Sequence, residues 1–352
     1  MDAATYHVTA GISLRTAWDA LRAQQPIRQR DAADLLGVSE GELVASRVGA
    51  GVTRLAADLR HVLKAVPALG RVMALTRNDA CVHEKIGVYE NLGVDSMVGI
   101  ALGEDIDLRL FFTHWKHGFA VSEAGAPGGL QSLQFFDATG QAVHKIFLKE
   151  GADHEAYEQL VTRFAADTQV PGIEVTTRLR GQEQPDGTVD VADFREAWAN
   201  LKDTHEFFWM LKRFGVTRMQ AMRFAGYDFA HPVPLDAART LLDTVAASAL
   251  PIMVFAGNPG CIQIHTGPVQ HVKIVGPWLN VLDAGFNLHL RTDRIASAWV
   301  VRKPTADGVV TSLELFDGVG ETIAMFFGKR KPGLPEMAQW QATIEALFPV
   351  PA

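Results

Sequence analysis

Ser132-Leu133-Gln134-Phe135-Phe136-Asp137 returns, 180 positions later, as Ser312-Leu313-Glu314-Leu315-Phe316-Asp317. The same offset carries Asp107-Leu108-Arg109-Leu110 onto Asn287-Leu288-His289-Leu290, Cys81 onto Cys261 and Trp18 onto Trp198. A constant spacing across segments so different in composition means that one unit of about 180 residues is used twice. Each copy orders its signals alike. Helical segments come first: Ser13 to Arg22, Asp31 to Leu36 and one opened by Ser39-Glu40-Gly41-Glu42, where Ser39 and Glu42 form a capping box. Asp193 to Lys202, His205 to Phe214 and Thr217 to Phe224 repeat this, with Thr217 and Gln220 as the cap. Alternating apolar stretches broken by Gly, Pro, Asn and Asp then predict strands, Asn287 to Arg302 and Val309 to Phe316 among them. A closing helix follows in each copy, Glu155 to Asp167 and Leu334 to Phe348. Helices in a run and then strands in a run predict an α+β fold, a tandem duplication whose unit has N-terminal helices, a largely antiparallel β-sheet and a C-terminal helix.

The polar, Pro- and Gly-containing stretch from Thr168 to Gly187 has linker composition. It divides the chain into copies 1–170 and 188–352 with a linker at 171–187. At 352 residues the chain is too long for one ordinary core. Its 48% hydrophobic and 21% charged residues are those of a soluble globular protein. A formal charge of -7 argues against a general nucleic-acid or anionic-membrane surface, so cations that bind an anion must be clustered. Two cysteines are too few for a disulfide framework and match no metal-ligand spacing, which favours a reducing compartment. Met1 to Gly11 has no apolar core of signal-peptide length. Thr244 to Val272 lacks Asp, Glu, Lys and Arg, but Pro251, Pro259 and Pro268 interrupt it, so it reads as buried strands rather than a membrane span. Cytoplasmic residence without membrane insertion is the expectation.

Fused copies commonly form a cleft that takes a small molecule, and the copies' differences then carry the function. Aligning Gly37-Val38-Ser39 on Gly215-Val216-Thr217 sets His205 opposite Ile27, so only the second copy offers an imidazole there. Asp203 and Glu206 read as a reciprocal helix cap, which places His205 in a first turn with Phe207 and Phe208 directly after it. A neutral imidazole so placed can ligate a metal or lie against a flat apolar ligand. A lone histidine among apolar residues is, however, ordinarily a hydrogen-bonded boundary residue. At the other asymmetric position, Arg109 of the first copy faces His289 of the second.

No Gly-rich phosphate loop, nucleophile elbow, zinc-type Cys/His cluster or EF-hand loop is present in the sequence. Arg28 to Ala45 has the pattern of a helix-turn-helix, which in DNA-binding proteins sets its second helix in the major groove. Glu40 and Glu42 put negative charge where phosphates would lie, which counts against nucleic acid.

Thr204-His205-Glu206-Phe207-Phe208, Leu211-Lys212-Arg213 and Thr217-Arg218, with Asp105-Ile106-Asp107-Leu108-Arg109, His83-Glu84-Lys85-Ile86-Gly87 and the duplication, resemble the HemS/ChuS/PhuS family of bacterial cytoplasmic haem-handling proteins. The resemblance covers nearly the whole chain. It implies two similar halves with haem b (iron protoporphyrin IX) in the cleft between them. It also implies His205 as the axial iron ligand and Arg109 as the distal, potentially catalytic residue. Arg218, Lys303 and Arg330, with Lys329 close by, match propionate-binding positions, and Phe111, Met253 and Phe255 match apolar pocket positions; Phe327 stands beside them. Where relatives commonly place Gln and Tyr in the last strand, this chain has Met325 and Phe327, so propionate anchoring leans on the cations.

These assignments are chemically coherent. One neutral His leaves the sixth iron position open, and pocket polarity then decides between transfer and oxygen activation. Arginine stays protonated and acts by hydrogen bonding rather than as an iron ligand. Propionates need clustered cations in a net-acidic protein. Thr204 and Glu206 flank His205 where some relatives carry further histidines, which leaves His83 or His231 for any ligand exchange. The function expected is binding of imported haem and delivery to a haem oxygenase, with a haem ABC importer as donor. The competing expectation is haem degradation by the chain itself, and the distant one a haem-responsive DNA-binding regulator.

Overall fold

The computed structural model describes residues 3–123, 130–177, 183–331 and 333–350. In chain order the first half forms α1 (Ala3–Gln24), α2 (Gln29–Leu36), α3 (Glu40–Ala45), β1 (Val52–Arg54), α4 (Leu59–Ala65), β2 (Gly70–Arg77), β3 (Cys81–Gly87), β4 (Val98–Leu102), β5 (Asp107–Phe111), β6 (His117–Glu123), β7 (Leu130–Phe136), β8 (Ala142–Ala152) and α5 (His154–Phe164). The second half forms α6 (Val191–Ala199), α7 (Glu206–Phe214), α8 (Arg218–Ala225), β9 (Ala230–Val233), α9 (Ala237–Ser248), β10 (Ile252–Asn258), β11 (Cys261–Gly267), β12 (Val272–Val275), β13 (Trp278–Asp283), β14 (Phe286–Arg291), β15 (Ser297–Thr305), β16 (Gly308–Phe316), β17 (Thr322–Gly328) and α10 (Ala338–Leu347). This is the expected α+β duplication. Two compact units result. One gathers the described parts of Met1–Arg77, Glu84–Leu179 and Asn258–Gln263; the other gathers those of Asn78–His83, Arg180–Gly257 and Ile264–Ala352. Each unit thus includes a short segment from the other half of the sequence, and the two segments are related by the repeat offset.

In the first unit the strand order β1-β6-β7-β8-β2 is antiparallel throughout, and β4 and β5 form an antiparallel pair. Alternation along β2 turns Val72, Ala74 and Thr76 inward, the period-2 geometry of a strand with one buried face. Leu63, Leu108, Phe135, Ile146 and Leu160 pack into one core, each contributing roughly 1.5–3 kcal/mol of apolar burial. A polar inlay lies within it. The Thr76 hydroxyl donates to Gln263 Oε1 at 2.8 Å and meets His144 Nδ1 at 2.8 Å, while the Tyr89 hydroxyl meets His144 Nε2 at 2.5 Å. Burial pushes the His144 ring down to about 3 and the Cys261 thiol up to about 12, so both are neutral at physiological pH.

In the second unit β9-β15-β16-β17-β10 is likewise antiparallel, and β12-β13-β14 forms a meander. One face of the five strands buries Val254, Val300, Leu313 and Phe326 with Leu241 and Leu242 of α9 and Trp340 and Ile344 of α10. On the opposite face α6, α7 and α8 bring Phe194, Trp198 and Phe207 against Val301 and Phe316. Met253, Phe255, Met325 and Phe327 belong to that second face, by register and alternation, and stay half-buried.

Several sequence expectations are corrected. Thr244 to Val272 is not all strand, because α9 continues to Ser248 before β10 begins. A 3-10 turn at Thr292–Arg294 splits Asn287 to Arg302 into two strands. α10 starts at Ala338, four residues after Leu334. Helices α4 and α9 were not anticipated; their short apolar runs look the same in sequence whether strand or helix. Of the expected linker, residues 178–182 lie outside the described residues, and the rest is irregular apart from a 3-10 turn at Asp186–Thr188. The helix-turn-helix pattern is real as local structure, with Gly37 at φ 69 ending α2 and Ser39 capping α3. Yet Glu40, Gly41, Leu43, Val44 and Ala45 of six-residue α3 are buried, so α3 has no free face to enter a groove.

Candidate functional site

His205 occupies the N-cap of α7 rather than its first turn, with φ -73 and ψ -25. Glu206 caps the segment as expected, its Oε2 accepting from the Asp203 backbone N at 3.3 Å, whereas Asp203 reaches the backbone N–H one position before Glu206. Asp203 Oδ1 accepts from the His205 backbone N at 2.7 Å, and Glu206 Oε2 accepts from Lys202 N at 2.7 Å. The His205 ring turns back so that Nδ1 lies 2.5 Å from the same Asp203 oxygen. Hydrogen bonding from the His205 backbone and ring holds the Asp203 carboxyl below its usual range, and the nearby Arg330 guanidinium adds to this. With Nδ1–H donating to the Asp203 carboxylate, Nε2 is the ring nitrogen left with a lone pair, the arrangement that orients metal-ligating histidines. The side chain is 90% exposed.

α7 then sorts its aromatic residues by helical spacing. Phe207 and Met210 face the core, while Phe208 and Trp209 are exposed beneath the Lys212 ammonium, 4.8 and 5.5 Å from their centroids. Gly215 at φ 65 ends the helix, and the Thr217–Gln220 capping box starts α8 with Arg218 as its first residue. Arg218 binds the buried Glu314 carboxylate of β16 through Nε at 2.7 Å and Nη2 at 2.8 Å, and Lys303 of β15 binds it at 2.8 Å. The Phe207 ring lies across both cations, 5.1 Å from Arg218 Cζ and 4.7 Å from Lys303 Nζ. Beside this cluster run the half-buried apolar side chains of β10 and β17: Met253 pairs with Phe327, Phe255 pairs with Met325, and the Phe255 and Phe327 rings are 4.9 Å apart. Arg330 follows β17 and reaches Asp307 at 3.8 Å, whereas Lys329 is exposed. The Ala306 N–H donates to Lys202 O at 2.8 Å, which holds the β15–β16 turn against the loop carrying His205.

His205, Arg218, Met253, Phe255, Lys303, Phe327, Lys329 and Arg330 therefore all belong to the second unit. Arg109 and Phe111 belong to the first, on β5. Arg109 pairs in register with Ile100 and Phe111 with Val98, so the guanidinium stands among partly exposed apolar side chains that include Leu102. It is tied down by an ion pair to Asp107 and by a 3.1 Å hydrogen bond from Nη1 to Leu108 O. The two reserve histidines are core residues. His83 is fully buried with its ring 4.9 Å from that of Phe286, and the equally buried His231 is bound through Nε2 to Phe348 O at 3.1 Å. Neither is placed to exchange with His205 as a ligand. Among the described residues no group of three or more His, Cys, Asp or Glu is arranged to hold a metal ion.

Sequence reasoning missed Glu314. The signal lay in the repeat itself, where Gln134 of the first copy is Glu314 in the second. Asp203 was read only as a cap and is also the partner of the His205 ring.

The second copy of this tandem α+β repeat carries the exposed His205, held by Asp203, in the same unit as the Arg218–Glu314–Lys303 cluster, and the fold is that of a two-copy α+β protein. The chain belongs to the family of the haemin-degrading HemS/ChuX domain, which it matches twice, over residues 37–164 and 215–347. It is 40% identical over 320 residues to the hemin transport protein HmuS of Yersinia pestis, covering 91% of this chain and 92% of that one. The holo form of PhuS, a heme-binding protein from Pseudomonas aeruginosa, superimposes with a TM-score of 0.93 at 47% identity, covering 97% of this chain and 99% of that one. The heme-degrading enzyme ChuS of Escherichia coli O157:H7 does so with a TM-score of 0.90 at 37% identity, covering 96% of this chain and all of that one (100%).

Proposed function

We propose that this chain is a cytoplasmic haem-binding protein of iron acquisition, taking haem b as its cargo. His205 Nε2 is the axial iron ligand in this reading. Arg218, Arg330 and Lys329 receive the propionates, Met253, Phe255 and Phe327 line the porphyrin face, and Arg109, with Phe111 beside it, is the distal residue. Haem arrives from a membrane importer of the ABC class and leaves to a haem oxygenase. The observation that carries the reading is the His205 ring, exposed at the start of α7 and held at Nδ1 by Asp203. Further support comes from the names of its relatives, a hemin transport protein and a heme-binding protein. Among the described residues no helix is long and apolar enough to cross a membrane.

Titration of the purified chain with haemin should give a Soret band saturating at one equivalent. His205→Ala should move that band and speed haem loss to an apomyoglobin acceptor at least tenfold, about 1.4 kcal/mol by the tenfold relation. A variant spectrum and release rate equal to those of the parent would remove His205 from the iron. A second reading, haem degradation by the chain itself, is favoured by its 37% identity to the heme-degrading ChuS.

A further inference from the structure

Glu314 is fully buried, and its carboxylate is saturated by the protein itself. Oε1 accepts from Arg218 Nη2 at 2.8 Å, Lys303 Nζ at 2.8 Å and Ser312 Oγ at 2.9 Å, and Oε2 accepts from Arg218 Nε at 2.7 Å. The Lys303 side chain is only 4% exposed, closed in by Glu314 on one side and the Phe207 ring on another. A ligand carboxylate cannot touch its ammonium without breaking that packing. Arg218 differs. Its side chain is 25% exposed, and Nη1 makes no hydrogen bond among the described residues.

Charge counting then separates the two cations. Arg218 with Glu314 alone is a closed, neutral, bidentate pair, and an approaching anion would meet Glu314 as much as Arg218. Lys303 adds one positive charge to that pair without offering a contact. The first copy shows the alternative outcome. Gln134 stands at the position of Glu314, and the residue aligned with Arg218 is Glu40, which binds the buried Lys145 at 2.6 Å and accepts from Gln29 at 3.1 Å. There the helix supplies the carboxylate, so its equivalent corner has no cation to offer from that position.

Resting on the haem reading above, we propose that Lys303 and Glu314 are positioning residues: Glu314 fixes the Arg218 guanidinium, and Lys303 cancels the charge of Glu314. Arg218 is then left to receive a single ligand carboxylate through Nη1. Lys303 binds the propionate through its field and not by contact. Burial lowers the Lys303 ammonium to about 8 while Glu314 opposes the fall, which keeps it charged at neutral pH.

The test is equilibrium binding of haemin and of haemin dimethyl ester, which lacks free carboxylates, to the full-length chain at pH 7. Lys303→Met should weaken haemin binding about tenfold, the size of one partly screened unit charge, and leave ester binding unchanged. Adding Glu314→Gln to Lys303→Met should bring haemin affinity back to within about twofold of the parent. Arg218→Met should reduce the preference for the free acid over the ester, Arg330 and Lys329 keeping the remainder, and the loss should not recover when Glu314→Gln is added. A Lys303→Met loss that Glu314→Gln fails to restore would mean direct contact and overturn the inference. Should Lys303→Met alone not fold, the double variant is compared with the parent, and a tenfold deficit overturns it equally. A parent chain that takes up no haemin refutes the haem reading instead, a different result from tight parental binding without rescue.

Discussion

Replacing Glu336 by Gln should change how stability depends on pH, and the size follows from its surroundings. The Glu336 side chain is 7% exposed and its Oε1 accepts from the Thr311 backbone N at 2.9 Å. Burial pushes the carboxyl up to about 7, with the Thr311 hydrogen bonds and the Arg330 charge only partly offsetting it. A folded-state pKa above the unfolded one means that the folded protein prefers the neutral acid. Below about pH 4.5 the group is protonated in both states and the contribution is fully present. As pH rises from there through 7, the unfolded chain ionises freely while the folded chain cannot, and stability is lost. A shift from the ordinary 4.5 to about 7 corresponds to about 3 kcal/mol at most, at 1.36 kcal/mol per unit. Gln keeps the acceptor for Thr311 and has no proton to lose. Glu336→Gln should therefore come within about 0.5 kcal/mol of the parent at pH 4.5 and exceed it by up to about 3 kcal/mol at pH 8, about 4 °C in Tm for a chain of this length unfolding as one. The assay is urea or thermal unfolding of both proteins from pH 4.5 to 8.5. Parallel profiles, with a difference that does not grow with pH, would show that the carboxyl is not held neutral.

Arg109→Ala should leave haemin bound while shifting the acid–base transition of its spectrum; complete loss of binding would make Arg109 structural rather than distal. Incubating the haem-loaded chain with a reductant, oxygen and catalase separates the two functional readings. A stoichiometric ring-opened tetrapyrrole that survives catalase indicates degradation by the chain, whereas bleaching abolished by catalase indicates a carrier. Thr76→Val should destabilise the protein by about 1–3 kcal/mol, because Gln263 and His144 lose a buried partner. That cost should not vary between pH 5 and 8, since the His144 ring is already neutral there; a cost that rises toward pH 5 would contradict this.

Legibility in sequence followed the range of the forces involved. Helix starts at Ser39 and Thr217 were legible because a capping box is written within four residues, and β16 was legible because its alternation is local. The segment around His205 was legible to within one position, because Asp203 accepts from the His205 backbone N rather than from that of Glu206. The duplication needed only the constant spacing of its matches. Burial was a different matter. Nothing near His83 or His231 in the chain distinguishes a core histidine from an available one, and only their packing against Phe286 and Phe348 decides it.

The sequence by itself determined a twice-used α+β unit, the asymmetry that leaves a single imidazole at 205, and the set of cations available near it. Tertiary structure alone decided which of those cations are buried and which stay partly exposed. Arg218 and Glu314 are 96 residues apart in sequence. Their pairing, and the closing of Lys303 beneath Phe207, arise from strands and helices brought together by the burial of apolar faces. A charge's chemistry depends on what then surrounds it.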